Sequence, residues 1–177
     1  MRLFVALPLP HETRAALAAW SRQCGPQPTL RWTPQEQLHI TLHFLGEVED
    51  VRVGVVTAAL DSLRLPGFAV DLEQMEVMGR AGVLAAAARL TPEFAALEIE
   101  VRARVSAFGE KQEAGRQFRP HVTLARARRG EPVPRPGTFP PLPALGFQAA
   151  CFRLYRSELR HEGAVHTIVR EWKLATL

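Results

Sequence analysis

The chain has 177 residues, with 22 Lys and Arg against 18 Asp and Glu for a formal charge of +4; 47% of it is hydrophobic and 23% charged. These are globular proportions that exclude a disordered or fibrous protein, and no apolar run approaches the roughly 20 residues of a membrane-spanning helix. Two cysteines, Cys24 and Cys151, make neither a disulfide framework nor a CxxC pair, so we expect one cytoplasmic domain spanning residues 1–177.

The N-terminal stretch 2–9 is rich in β-formers and halts at Pro8 and Pro10, which reads as a first strand rather than a signal peptide. Residues 11–23, with Ala15, Ala16, Leu17, Ala19 and Trp20, suit a helix that Gly25-Pro26 ends. Leu38 to Leu45 alternates as a strand before Gly46. Over 51–64, Val53, Val56, Leu60 and Leu63 have helical spacing, and Pro66-Gly67 turns the chain into a strand over Phe68–Leu72.

The second half restates the first. Val83–Leu90 is a strand, and Thr91-Pro92-Glu93 opens a helix with a cap, a first-turn proline and an acid. Phe94, Leu97, Val101 and Val105 form its stripe, and Gly109 can end it. Phe118 to Arg126 is another strand. Leu3 to His39 is 36 residues and Val83 to His121 is 38, a spacing that predicts two similar lobes about a pseudo-two-fold axis. Residues 130–143 hold six of the 14 prolines and read as an exposed loop. Two closing strands follow, Phe147–Tyr155 and Val165–Leu174. Short strands mixed with three helices predict an α+β fold.

The strongest local signal is the pair His39-Ile40-Thr41-Leu42 and His121-Val122-Thr123-Leu124. Residues two apart on a strand share a face, so each motif buries two aliphatics and presents an imidazole and a hydroxyl to the other side. Two imidazoles and two hydroxyls around one anion suit cleavage of a phosphate ester. An unperturbed imidazole titrates near pH 6.5, so one ring can take a proton from water while the other gives one to the departing oxygen. Thr hydroxyls can donate to the non-bridging oxygens, and Arg126 is the nearest guanidinium for bidentate neutralisation. Phe44 and Phe118 flank the motifs, where they either stack a base or, more plainly, pack in the core.

Other chemistries fit less well. His39 and His43 are four apart, the zinc spacing of a helix, but on a strand their rings are about 13 Å apart; we expect no metal site, and His43 at an exposed rim. GxSxG is absent, and Gly79-Arg80-Ala81-Gly82 lacks the Lys-Ser/Thr of a P-loop. Twenty of the 22 cations are arginine, a bias compatible with a phosphate ligand but, on composition alone, better explained by GC-rich coding. The run Arg126, Arg128, Arg129 and Arg135 is either a solvated loop or a guide for RNA. His11 and His161 read as surface residues, and His166 has no partner pattern.

Arg31-Trp32 with Leu38 to Val48, and then Phe118 to Arg126, resemble the two signatures of the bacterial and archaeal RNA 2',3'-cyclic phosphodiesterases. This family, also called 2'-5' RNA ligases, belongs to the two-histidine phosphoesterase superfamily. Arg2 to Ala6, Gly79-Arg80, and Ser157-x-Leu159 with Gly163 match more weakly. The resemblance implies a bilobal α+β fold in which two antiparallel sheets line a central cleft with helices outside. It implies hydrolysis of RNA 2',3'-cyclic phosphate ends to 2'-phosphomonoesters without metal or cofactor, and reversible 2'-5' ligation; we expect a monomer with no obligate protein partner. His39 would then donate a proton to the leaving 3'-oxygen, His121 would activate water, and Thr41 and Thr123 would hold the phosphate. His43 stands where Lys is frequent and His166 where an aromatic residue is expected. Two other readings differ from it: the same chemistry on small cyclic nucleotides or ADP-ribose cyclic phosphate, and a non-catalytic RNA-binding module.

Overall fold

A computed structural model describes residues 1–78, 82–109, 117–160 and 163–176; Gly79-Arg80-Ala81 and His161 lie outside the described residues. Strand β1 (Arg2–Pro8) sends Leu3, Val5 and Leu7 into the main core and Phe4 and Ala6 to the opposite face, against Tyr155. Helix α1 (His11–Gln23) buries Thr13, Leu17 and Trp20, the i, i+4, i+7 stripe of one face. Strands β2 (Leu30–Trp32) and β3 (His39–Glu47) follow, then α2 (Val53–Asp61), which buries Val56 and Leu60. Strands β4 (Phe68–Met78) and β5 (Val83–Ala88) lead to α3 (Pro92–Val105). Its Thr91 hydroxyl accepts from the Phe94 amide at 3.3 Å, and Phe94, Leu97, Val101 and Val105 are fully buried. Strands β6 (His121–Ala127), β7 (Leu145–Ala149), β8 (Cys151–Arg160) and β9 (Gly163–Lys173) complete the chain.

All three helices pack into one hydrophobic cluster with the inward residues of the strands. The hydrogen-bonded order among the described residues is β7-β4-β5-β6-β3-β1-β8-β9, antiparallel throughout, with β2 alongside β6. The two sheets that the family resemblance implies are thus linked into one path, at the single pair Ile40–Val122 between β3 and β6. About that pair, β3-β1-β8-β9 mirrors β6-β5-β4-β7, and the strand–helix–strand unit β1-α1-β3 matches β5-α3-β6.

Three segments differ from expectation. Phe147–Tyr155, expected as one strand, is divided at Ala150: β7 pairs with β4 while β8 pairs with β1, across the molecule. Nothing in Gln148-Ala149-Ala150-Cys151 marks the break, because no Gly or Pro stands there. β2 is only three residues long, too short for its alternation to stand out. Within the proline-rich loop Pro136–Thr138 is a short 3-10 turn, and Phe139 is buried against Trp20 and Trp32, with ring centroids 6.3 and 6.2 Å away. Trp20 Nε1 donates to the Pro140 carbonyl at 3.2 Å. Indole and loop hold each other.

α3 ends at Val105, before Gly109. Gly109 instead lies against β3: a Cβ there would clash with the Leu45 carbonyl oxygen and sit 2.7 Å from the Leu45 Cα. Both are backbone atoms that cannot rotate away. Gly109→Ala is therefore expected to cost about 2–3 kcal/mol, or a fall in Tm of roughly 5–10 °C for a chain of this size. A wild-type melting curve would show that the segment relaxes without cost.

Candidate active site

The two His-x-Thr motifs occupy equivalent places. In β3, His39 pairs with Pro8 and Thr41 with Ala6, but the next pair is His43 with Val5, which leaves Leu42 as an extra residue. In β6, His121 pairs with Ala87 and Thr123 with Ala85, the next pair is Ala125 with Leu84, and Leu124 is the extra residue. Both strands carry a β-bulge at the same position of the motif. Burial runs alike in both: the His and Thr are half-buried, the next two residues after Thr are buried, and the sixth residue is exposed.

The bulges decide which side chains reach the helix-free face. Without one, His43 would follow His39 and Thr41; with it, His43 turns inward and is 4% exposed. The rim position expected for His43 is thereby corrected. Burial, and then the charge of Arg102, push its pKa down. Phe44 takes the outward place instead and is 53% exposed, so core packing is overturned for that ring. Arg126 holds the equivalent place on β6, paired with Val83. Phe118 does pack inward, edge-on to Phe94 at 5.6 Å.

Each imidazole is anchored in the same way. His39 Nδ1 donates to the Gln37 carbonyl at 2.6 Å, and His121 Nδ1 to the Arg119 carbonyl at 2.8 Å. A carbonyl only accepts, so Nδ1 carries the hydrogen and Nε2 becomes the titrating atom of both rings. Extending the Ile40–Val122 pair by one residue sets His39 opposite Thr123 and Thr41 opposite His121. In such a pair the two histidines are diagonal neighbours, with a separation of about 7–8 Å. One phosphoryl group fits between them.

The surroundings of the two rings differ. His39 lies 4.9 Å from the Phe4 ring and 5.4 Å from His166, centroid to centroid, with Tyr155 stacked behind Phe4 at 5.1 Å. Burial pushes the His39 pKa down to about 4; the Gln37 carbonyl opposes this, while His166, His121 and Arg126 add to it. His121 borders a cleft of about 310 Å³ lined in part by Gln74, Glu76, Ala87 and Arg119, and Arg119 pairs with Glu76. His166, which sequence reasoning left without a role, packs edge-on against both Phe4 and His39. Its signal would have been the β8–β9 register that sets it opposite Ser157. His11 is exposed at the start of α1. Among the described residues no three His, Cys, Asp or Glu side chains gather to hold a metal ion, and no helix is long and apolar enough to cross a membrane.

Comparison with known proteins agrees with this geometry. Residues 7–85, which include the first motif, match the family described as LigT like Phosphoesterase. The RNA 2',3'-cyclic phosphodiesterase of Thermus thermophilus is 32% identical over 98% of this chain and 90% of its own. The crystal structure of TT0787 from the same organism superposes with a TM-score of 0.84 at 34% identity, covering 98% of both chains. That of E. coli LigT complexed with 3'-AMP gives 0.83 at 28% identity, covering 98% of this chain and 97% of the other. With likeness of this extent in sequence and in structure, the chain belongs to the LigT-like phosphoesterase family.

Proposed function

We propose that this protein hydrolyses RNA 2',3'-cyclic phosphate ends to 2'-phosphomonoesters, acting as a cytoplasmic monomer with two lobes flanking a central cleft. The observation that carries the reading is the symmetric placement of two Nδ1-anchored imidazoles and two threonines about the Ile40–Val122 pair. The names of the relatives agree with it, as does 3'-AMP in the E. coli LigT complex.

In this mechanism His121 Nε2 takes a proton from water as the oxygen attacks phosphorus. The bond from phosphorus to the 3'-oxygen breaks, and His39 Nε2 gives its proton to that oxygen. The products are a 3'-hydroxyl and a 2'-phosphate. Thr41 and Thr123 donate to the non-bridging oxygens where charge accumulates; Arg126 lends positive charge to the same face of β6 and helps hold the substrate, and Phe44 offers a face to the base. With a pKa of about 4, His39 is neutral in the empty site at pH 7, so the anionic phosphate must bring its proton by stabilising the imidazolium. A 5'-hydroxyl in place of water gives 2'-5' ligation by the same two proton transfers. No step requires a metal.

The test is the phosphate position in the product from a defined RNA end. A 2'-phosphate formed equally well in EDTA is the expected result. A 3'-phosphate, or EDTA inhibition reversed by zinc, would overturn the reading.

A further inference from the structure

Arg31 and Arg126 are direct cross-strand partners in β2 and β6, and like charges placed opposite each other disfavour pairing. Neither has a carboxylate partner among the described residues, although ten other cation–carboxylate pairs are seen there. Both face away from the core: on β2 Leu30 is buried and Arg31 exposed, while Trp32 turns to Trp20. The pair is on the same side of β6 as His121 and Thr123, since Thr123 pairs with Ala85 and Arg126 with Val83 on β5. That offset of two β5 residues is about 7 Å, comparable to the separation of successive phosphates along a nucleic-acid chain.

We propose that Arg31 and Arg126 together bind a second phosphate, the one 5' to the nucleotide whose cyclic phosphate is opened, and so favour RNA ends over nucleoside 2',3'-cyclic phosphates. This rests on the function proposed above. Two guanidinium forks on one phosphate satisfy its oxygens and relieve the repulsion between them.

The experiment compares a nucleoside 2',3'-cyclic phosphate with its 5'-phosphorylated counterpart, in wild type, Arg31→Gln and Arg31→Lys. Wild type is expected to favour the 5'-phosphorylated substrate in kcat/KM by roughly tenfold at low salt. Arg31→Gln should bring that ratio close to one and reduce the salt dependence by about one phosphate contact, with Arg31→Lys between. Removing a like-charged neighbour should not lower Tm. A wild type indifferent to the 5'-phosphate would overturn the proposal, as would an Arg31→Gln ratio equal to that of wild type. So would an equal loss on both substrates with a lowered Tm, which marks a structural role. If neither substrate turns over, the proposed function fails. The second site is then decided by calorimetry, from the Kd ratio of a nucleoside 2',5'-bisphosphate to its 2'-monophosphate across the same variants.

Discussion

Replacing His121 with alanine is expected to lower kcat by about 10²- to 10⁴-fold, the usual worth of a positioned proton transfer. The His39→Ala variant should lose as much. Each ring is held by a hydrogen bond to a backbone carbonyl two residues earlier, so either loss removes a whole proton-transfer step. The double variant should be little worse than each single one, because groups that act as a unit lose their effect together. His121→Ala forfeits the hydrogen bond to the Arg119 carbonyl at an exposed position, a cost of about 1 kcal/mol, so its melting curve should stay near that of wild type. Initial rates on a cyclic-phosphate-ended RNA, beside thermal melts, check both halves. A His121→Ala enzyme at full rate would remove the basis of the mechanism.

The second large effect concerns the proton on His39. In the empty site this ring should titrate at about pH 4, visible in the NMR titration of its carbon-bound proton. An anion between the two rings should raise that value by about one pH unit or more, since an opposite charge favours the imidazolium. Sulfate is a suitable probe because its charge is constant over the range. By linkage, sulfate affinity should climb as pH falls from 7 toward 4, by up to about tenfold for each pH unit that the anion adds to the ring's pKa. A His39 that titrates identically with and without sulfate would be unfit as the proton donor.

The same depressed value has a consequence for stability, with a definite sign. In the unfolded chain His39 titrates near 6.5, and in the folded one at about 4. Between these values the unfolded state holds a proton that the folded state refuses. Stability is therefore lost as pH falls through that window and levels off below it, by on the order of 3 kcal/mol from this group. His166 and His43, also shifted down by burial, add in the same direction. Denaturant unfolding of wild type and His39→Ala at pH 7 and pH 4 isolates the His39 share.

Much of this molecule was legible in its sequence. The apolar stripes of α1 and α3, the Thr91 cap and the two His-x-Thr strands all follow from periodicity, because each depends on residues near one another in the chain. The bulges at Leu42 and Leu124 do not. An extra strand residue without glycine leaves no compositional trace, and strict alternation then assigns His43 to the wrong face and leaves Phe44 in the core. The break at Ala150 escaped for a similar reason: β7 and β8 are each good strands, and only their distant partners show that they part. Likewise the Ile40–Val122 link between the half-sheets and the contact of His166 with His39 are long-range facts. Arg31 belongs to a stretch that carries the family resemblance, but its place opposite Arg126 is set by the β2–β6 register.

The division at Ala150 bears on how the chain is assembled during synthesis. Strands β4 to β7 lie within residues 68–149 and can pair as soon as they leave the ribosome. Strand β1 emerges much earlier, yet one of its edges stays uncovered until Cys151–Arg160 arrives. An open edge beside an apolar face invites pairing with other chains. The half that carries His39 is thus begun before the other half and closed after it, and one edge of β1 stays exposed to aggregation while residues 9–150 are made.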